Sequence, residues 1–174
     1  VAYPDFLQKN TGFGSLQFYT CDIHSELGNV ELVGGLQDNG TLYYSGPPLI
    51  IEHMIDGGDG AYCWIDADES DMVITSVYYN QYQAQITGSW PVYMYDWNSG
   101  IFINPADYDD TENIIYANAC SFTGFRADEI LRISNIPNNP NGSFVSLNTG
   151  TDVWFSHVKY SPHSPEGTAT LYLG

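Results

Sequence analysis

Two aspartates in a glycine-rich segment are the first residues of this chain that could do chemistry. Asp56 and Asp59 lie in the segment 55–60, which reads IDGGDG. Glycines let a backbone approach a ligand closely, and two carboxylates three residues apart can bind a cation or act as acid and base. Alternatively, the segment is a tight turn whose carboxylates accept hydrogen bonds from backbone amides. We prefer the turn and keep both aspartates as candidate catalytic residues.

A second acidic segment has the spacing of a calcium loop. Residues 66–71 read DADESD, so that Asp66, Asp68 and Asp71 could supply oxygen ligands to Ca²⁺. The segment lacks the glycine and the distal glutamate of an EF-hand, and it falls where every repeat described below has a turn. A polar turn is therefore the preferred interpretation. Calcium is the one cofactor considered, and we predict no other.

Aromatic side chains are crowded between residues 78 and 97. Exposed Tyr and Trp rings stack on sugars and anchor protein partners, whereas buried rings fill the cores of β-sheets. Both interpretations stay open for this group. The residues that we nominate for binding are Tyr79, Tyr82, Trp90 and Trp97.

The charge and composition limit the class of protein. The chain has 21 acidic and 4 basic residues in 174, a net charge of −17. Such a surface repels phosphates and anionic lipid headgroups, so we expect no nucleic-acid partner, and no apolar run is long enough for membrane insertion. The 14 Tyr, 8 Phe and 17 Gly, with only 14% charged residues, are typical of an all-β protein. An exported protein, secreted or at the cell surface, fits this balance.

Three cysteines show no metal-binding or redox spacing. Cys21, Cys63 and Cys120 include no C-x-x-C pair. Cys21 and Cys63 stand at equivalent positions of successive repeats, so their side chains should face the same way from adjacent sheets. We expect buried apolar thiols, with a Cys21–Cys63 disulfide as the alternative.

Four segments share one pattern of an apolar strand, a polar turn and a second apolar strand. Anchored on Ile23, Ile65, Ile103 and Tyr160, the copies are spaced by 42, 38 and 57 residues. Periods of roughly 40–50 residues with strand signals predict propeller blades. We expect residues 1–174 to form one partial β-propeller of four-stranded antiparallel blades. The predicted blades span 16–60, 61–100 and 101–145, and 146–174 begin a fourth.

The turn signals place the strands within these blades. Residues 136–142, which read IPNNPNG, are predicted to be a loop, whereas residues 129–133 are predicted to be a strand rather than a helix. The predicted strands lie near 17–24, 30–34, 41–45, 61–66, 72–79, 84–88, 92–95, 101–104, 113–118 and 129–134.

Two glycine-rich phrases carry a resemblance to a known family. Residues 34–41 read GGLQDNGT, and residues 57–60 read GGDG and are followed by Ile65 and Asp66. The chain resembles the BNR/Asp-box-like β-propellers over about residues 16–80. That family includes sortilin, sialidase and xyloglucanase-type propellers and large secreted proteins of the Bacteroidetes. In it, the Asp and Gly of the box close a hairpin away from the substrate site, which implies that Asp38 and Gly40 are structural turn residues.

The resemblance implies a function only in outline. We expect a non-catalytic secreted or cell-surface bacterial module that is a scaffold or a binding platform for a glycan or a protein. A xyloglucanase-like glycoside hydrolase and a purely structural module are the alternatives. A sialidase is disfavoured because the chain holds only Arg126 and Arg132, too few arginines for the substrate carboxylate. The remainder of a longer parent chain, or other subunits, is expected to cover the open sheets of this fragment.

Overall fold

The computed structural model is all-β, as the composition predicts. It describes residues 16–26, 28, 30–46, 53–68, 72–96, 98–150, 152 and 154–174, and these residues contain strands and no helix. Consequently, no helix that could span a membrane is found in this part of the chain. The strands are β1 (Phe18–Ile23), β2 (Glu31–Leu36), β3 (Gly40–Ser45), β4 (His53–Asp56), β5 (Cys63–Ile65), β6 (Met72–Ser76), β7 (Asn80–Ile86), β8 (Val92–Asp96), β9 (Ala106–Asp109), β10 (Ile114–Asn118), β11 (Glu129–Ser134), β12 (Asn141–Ser146), β13 (Val158–Tyr160) and β14 (Leu171–Leu173).

The strands form antiparallel sheets in chain order. The first sheet is β1-β2-β3-β4, the second β5-β6-β7-β8 and the third β9-β10-β11-β12. The fourth sheet has two strands, β13 and β14. Neighbours in the chain are neighbours in each sheet, which short polar turns make possible. The expectation of four-stranded antiparallel units is confirmed for the first three sheets.

Successive sheets pack face to face because their central strands are apolar on both sides. In β6, Val73 packs with Val33 of the first sheet, whereas Met72 and Ile74 pack with Ile115 of the third sheet. Successive side chains of a strand point to opposite faces, so odd and even positions contact different neighbouring sheets. Strands buried on both faces read as apolar runs without alternation, as Met72 to Ile74 do here.

The same alternation joins the third sheet to the fourth. In β10, Ile115 faces the second sheet, whereas Ile114 and Tyr116 pack with Val158 of β13. The Tyr116 ring stacks on Tyr160 with centroids 5.9 Å apart. The described sheets do not close into a ring.

The first strand of every sheet borders one common cleft. This cleft of about 240 Å³ is lined by Thr20 to Asp22, Tyr62 to Trp64, Ala106, Asp107 and His157 to Lys159. Asp22 Oδ2 accepts a hydrogen bond from the Ile65 amide at 2.9 Å, and Asp107 Oδ2 accepts one from the Tyr160 amide at 2.7 Å. An aspartate at the same strand position thus joins the first sheet to the second and the third to the fourth.

One predicted repeat anchor is wrong. Residues 101–104 form a loop rather than a strand, because Asn104 Oδ1 accepts a hydrogen bond from the Ile101 amide at 2.9 Å and Pro105 has no amide proton for a ladder. The third sheet begins at Ala106. Tyr108, which pairs with Ile115, replaces Ile103 as the anchor.

The remaining differences concern turns and outer strands. The strand predicted for 72–79 ends at Ser76, and Tyr79 has a positive φ of 56° in the turn before β7. Outer strands β4 and β12 were not predicted, since their exposed residues show no apolar alternation. Residues 141 and 142, predicted to be loop, open β12. The strand predicted for 129–133 is confirmed as β11.

The cysteines are not equivalent. Cys63 and Cys120 are buried and Cys21 is exposed, and all three thiols are free. The expectation of a buried Cys21 is therefore wrong, and the alternative disulfide is not formed. Thr20 rather than Cys21 faces the second sheet, with its Oγ1 3.5 Å from Cys63 Sγ. Burial, the largest cause, raises the pKa of the Cys63 thiol to about 11.

The outer face of the first sheet is apolar and uncovered within the described residues. Phe18, Ile23, Val30 and Leu32 are exposed there, with Ile23 at 62%, and they border a groove of about 610 Å³. At the other end of the stack, β14 is the edge of a two-stranded sheet.

Candidate functional site

The glycine-rich phrases meet at the contact between the first two sheets. We call the contact between two successive sheets a junction; the first junction is centred on the β2–β3 turn, residues 37–40, and the β4–β5 connection, residues 57–61, and includes the residues that flank them. The Gly40 amide donates to the Gly58 carbonyl at 2.8 Å, and the Gly60 amide donates to the Leu36 carbonyl at 2.9 Å. The phrases that carry the family resemblance are therefore two sides of one backbone contact.

Glycine is required in this junction because the backbones leave no room for a side chain. A Cβ on Gly60 would lie 2.1 Å from the Gly40 carbonyl oxygen, and a Cβ on Gly35 would lie 2.1 Å from the Ala61 oxygen. Gly40 has a φ of 66°, and its Cβ would lie 2.1 Å from the Asp56 oxygen. Backbone packing, and not the approach of a ligand, thus explains these glycines.

The two candidate catalytic carboxylates belong to the same junction. Asp56 accepts hydrogen bonds from Thr75 Oγ1 at 2.8 Å and from the Gly57 amide at 2.9 Å. Asp59 Oδ1 accepts one from the Asp38 amide at 2.6 Å. Asp38 has a φ of 59° at the tip of the turn. Both carboxylates therefore bind protein donors, which corresponds to the turn interpretation given above.

Two of the three candidate calcium ligands, Asp66 and Asp68, lie within the described residues. Asp66 is fully buried and accepts hydrogen bonds from the Asp68 amide at 2.9 Å and from the Tyr108 hydroxyl. Asp68 is exposed, and Asp71 lies outside the described residues. Within the described part of the chain, no group of three or more His, Cys, Asp or Glu side chains could hold a metal ion. Burial, followed by the contact with Asp66, raises the pKa of Tyr108.

The nominated aromatic residues do not form one surface. Trp90 is 92% exposed and Tyr79 is exposed, but Tyr82 is 3% exposed and donates its hydroxyl to Asn80 Oδ1 at 3.0 Å. Tyr82 is thus a core residue, the alternative stated for this group. Trp97 lies outside the described residues.

A buried network of three asparagines was missed by the sequence analysis. Asn104 Nδ2 donates to Asn80 Oδ1 at 2.7 Å, and Asn118 Nδ2 donates to Asn104 Oδ1 at 3.0 Å. Asn118 Oδ1 also accepts from the Phe155 amide at 3.1 Å. The network joins the second and third sheets to the chain before β13. Its sequence signal is an asparagine at the start or end of a strand, which is too common to be diagnostic.

Six connections between strands lie at one end of the sheets, which we call the loop face. Antiparallel meanders place the β2–β3, β6–β7 and β10–β11 turns at the same end as the three connections between sheets. Backbone hydrogen bonds link neighbouring connections, for example from Tyr79 to Phe102 at 3.0 Å and from Gly100 to Ala119 at 3.0 Å. The exposed aromatic residues of this face are Tyr79, Phe102, Phe122, Phe125 and Trp154.

The β10–β11 turn contributes a cavity to this face. Residues 119–128, which we call the cavity loop, border a space of about 410 Å³ together with Asn98. Of the residues that line this space, only Arg126 was considered from the sequence, as an argument against a sialidase. The SFTGFR segment at 121–126 contains hydroxyl groups, aromatic rings and a guanidinium, the one signal that could have indicated a polar binding site.

Comparisons with known proteins find no significant match to a family model, to a curated protein or to a solved structure. The resemblance to BNR/Asp-box-like propellers therefore depends on the two glycine-rich phrases and on the repeat.

Proposed function

We propose that this chain is part of a BNR/Asp-box-like β-propeller and is a non-catalytic scaffold or binding platform within a larger protein. The three four-stranded sheets would be blades, and β13 and β14 would begin a fourth. Secretion or display at the surface of a bacterium, as in large exported proteins of the Bacteroidetes, belongs to the same proposal.

Aspartates that form hydrogen bonds between neighbouring sheets support this proposal. Every junction of the described sheets contains an aspartate whose carboxylate accepts a hydrogen bond from the next sheet. The pairs are Asp22 with the Ile65 amide, Asp66 with the Tyr108 hydroxyl, and Asp107 with the Tyr160 amide. A catalytic carboxylate must be able to reach its substrate, whereas these groups hold the sheets in register. This arrangement favours a rigid platform over a hydrolase.

Lys159 adds an ion pair to the contact that Asp107 makes between the third and fourth sheets. Its Nζ lies 2.9 Å from Asp107 Oδ2, and Asp107 is buried. One of the four cations of the chain is thus used to hold a carboxylate between sheets. A charge-assisted contact of this kind fixes geometry as well as adding energy.

The open faces support a place in a larger assembly. The apolar outer face of the first sheet and the two-stranded fourth sheet would both be covered if further sheets continued the stack. Other sheets of a parent chain, or other subunits, are the partners that fit. The acidic net charge argues against a nucleic acid.

An assay for hydrolysis tests the non-catalytic part of the proposal. The 174-residue chain is incubated with xyloglucan and with a mixed-linkage β-glucan, and new reducing ends are measured. We expect no release above buffer, and no change in Asp56→Asn or Asp59→Asn. Release that either substitution abolishes would establish the xyloglucanase-like hydrolase instead.

Mass spectrometry tests the partial propeller. A denatured mass of 19.3 kDa with a native multiple or a bound partner is the expected result, since the open faces need a cover. A stable native monomer of 19.3 kDa that binds no hydrophobic dye would overturn the proposal.

The chain is expected to be equally stable in the presence of Ca²⁺ and of a chelator, because Asp66 is already bonded to protein donors.

A further inference from the structure

The cavity loop combines the groups that recognise a sugar. Its cavity of about 410 Å³ falls within the range of about 300–1,000 Å³ typical of small-ligand sites. The lining residues are Asn98, Ser121, Thr123, Phe125 and Arg126. They place an amide, an aromatic ring, a guanidinium and two hydroxyls, which bond each other at 2.8 Å, around one space.

Arg126 lines this cavity with a guanidinium that is held in place. Its Nε is buried and has no hydrogen-bond partner among the described residues. The other end of the guanidinium is fixed, since Nη1 donates to Glu129 at 3.1 Å and Cζ lies 3.3 Å from the centroid of the Phe144 ring. The Arg126 side chain is 31% exposed and lines the cavity, so the outer part of this fixed guanidinium can meet a ligand there.

The backbone of the loop is held in an unusual shape. Arg126 and Asp128 have positive φ angles of 59° and 60°, which non-glycine residues rarely adopt. Asp128 holds the loop to the next connection, because Thr149 Oγ1 and the Gly150 amide both donate to its carboxylate, at 2.5 and 3.1 Å. Strained, well-anchored backbone is found where a binding geometry must be maintained.

Aromatic rings extend the cavity along the loop face. Phe125 is 52% exposed and Phe122 is 67% exposed, and Phe122 makes an edge-to-face contact with Trp154 at 5.8 Å between centroids. The flat apolar faces of such rings pack against the C–H face of a pyranose. These rings therefore offer a surface to further units of a chain whose first unit occupies the cavity.

The geometry points to a binding site in the cavity loop for a neutral glycan. One hexopyranose would stack on Phe125 while its oxygen atoms accept from the Arg126 guanidinium and exchange hydrogen bonds with Thr123. The Arg126 charge is balanced by Glu129, and the net charge of −17 repels polyanions, so the ligand is uncharged. This inference rests on the proposed platform function and specifies its ligand.

Binding of labelled oligosaccharides to the full 174-residue chain tests the inference. The probes are cellohexaose, laminarihexaose, mannohexaose and a xyloglucan heptasaccharide, with hexagalacturonic acid as the anionic comparison. We expect at least one neutral probe to bind, and Phe125→Ala to weaken it about tenfold through lost stacking. Tyr172→Ala is the matched control, because this exposed ring lies on β14 and borders none of this cavity.

A second pair of variants separates recognition from folding. Arg126→Gln should weaken binding of the same probe about five- to tenfold by removing the guanidinium donors. Since Arg126 also packs on Phe144, Thr123→Val provides a test that does not depend on that contact. It removes a hydroxyl whose protein partner is the Ser121 hydroxyl, in an exposed hydrogen bond of 2.8 Å, so it should weaken binding with little change in the melting temperature.

Three results would overturn the inference. No binding of any neutral probe, or binding lost in Trp90→Ala but retained in Phe125→Ala, would place the ligand site elsewhere or nowhere on this chain. Tighter binding of hexagalacturonic acid than of neutral probes would contradict an uncharged ligand. None of these results changes the reducing-end and native-mass tests, so the platform proposal stands or fails separately.

Discussion

The first junction and the cavity loop lie on the same loop face, yet they use similar residues in opposite ways. Both contain glycine and non-glycine residues with positive φ, among them Asp38 at 59° and Arg126 at 59°. In the first junction, a Cβ on Gly60 would clash with a carbonyl, whereas a Cβ on Gly124 would meet nothing within 4 Å. One region is closed by backbone contacts, and the other surrounds an open space.

The polar side chains follow the same division. Asp56 and Asp59 accept hydrogen bonds from the protein, whereas Arg126 keeps a buried donor without an acceptor among the described residues. The polar groups of a conspicuous motif can therefore be bonded within the protein, while an ordinary-looking turn lines an open cavity. The residue types in a motif matter less than whether their hydrogen bonds are already made.

The largest expected effect is at the first junction. Gly60→Ala should lower the free energy of unfolding by about 3 kcal/mol or more, because the backbone of the β2–β3 turn must move to admit the methyl group. Gly57→Ala is the matched control in the same loop, since its Cβ would meet nothing within 4 Å, and its effect should stay within about 0.5 kcal/mol. Urea titration measures both. Equal effects of the two substitutions would contradict the proposed closure of this junction.

The asparagine network supports the other region and gives the next effect. Asn104→Ala should destabilise the chain by about 2–3 kcal/mol, because it leaves the buried Ile101 amide without its partner and removes one of the two hydrogen bonds that Asn80 Oδ1 accepts. Asn139→Ala, in an exposed turn, is the comparison and should be nearly neutral. Thermal unfolding followed by circular dichroism distinguishes them. An Asn104→Ala protein as stable as the parent would mean that the network contributes no net stability.

The fold was predictable where apolar residues alternate on strands buried from both sides. Residues 72–76 and 114–118 each contribute side chains to the contacts with two neighbouring sheets, and this packing on both sides produces the repeat in the sequence. Outer strands such as β12 lack the pattern because most of their side chains face water. The start of β9 was misplaced because Ile101 and Ile103 resemble a strand, whereas the side chain of Asn104 closes a loop there.

The candidate site was predictable only in part. The sequence indicates Asp56 and Asp59 because glycines surround them, but only the structure shows which groups donate hydrogen bonds to these carboxylates. The cavity depends on Asn98, 23 residues before Ser121 in the chain, and on a guanidinium fixed by Phe144. Such contacts depend on the packing of sheets, which spacing along the chain does not reveal.

A double-mutant cycle sharpens the account of the first junction. Asp56→Asn, Thr75→Val and the double variant should show a coupling of about 1 kcal/mol, because the Thr75 hydroxyl donates to Asp56 at 2.8 Å. Chemical denaturation of the four proteins measures it. A coupling near zero would mean that the carboxylate is not engaged by Thr75 in solution, and Asp56 would again be available as a catalytic candidate.

The smallest effect is a difference in reactivity between two thiols. Cys21 is exposed and should react rapidly with a thiol reagent at pH 8, whereas Cys63, buried in the first junction, should react only when the sheets separate. Gly60→Ala should therefore speed the labelling of Cys63 and leave that of Cys21 unchanged. Mass spectrometry of the labelled peptides measures both rates, and rapid labelling of Cys63 in the parent chain would contradict a closed junction.

The pKa of Cys63 adds a dependence on pH to this last test. Burial raises that pKa from 9.0 to about 11, so the folded chain keeps its proton where the unfolded chain has already lost it. The resulting stabilisation is complete below about pH 9 and is lost as the pH rises towards 11. Cys63→Ser should therefore flatten the fall in stability above pH 9, whereas Cys21→Ser should not. An identical fall in both variants would show that Cys63 is already exposed to water when the first junction is formed.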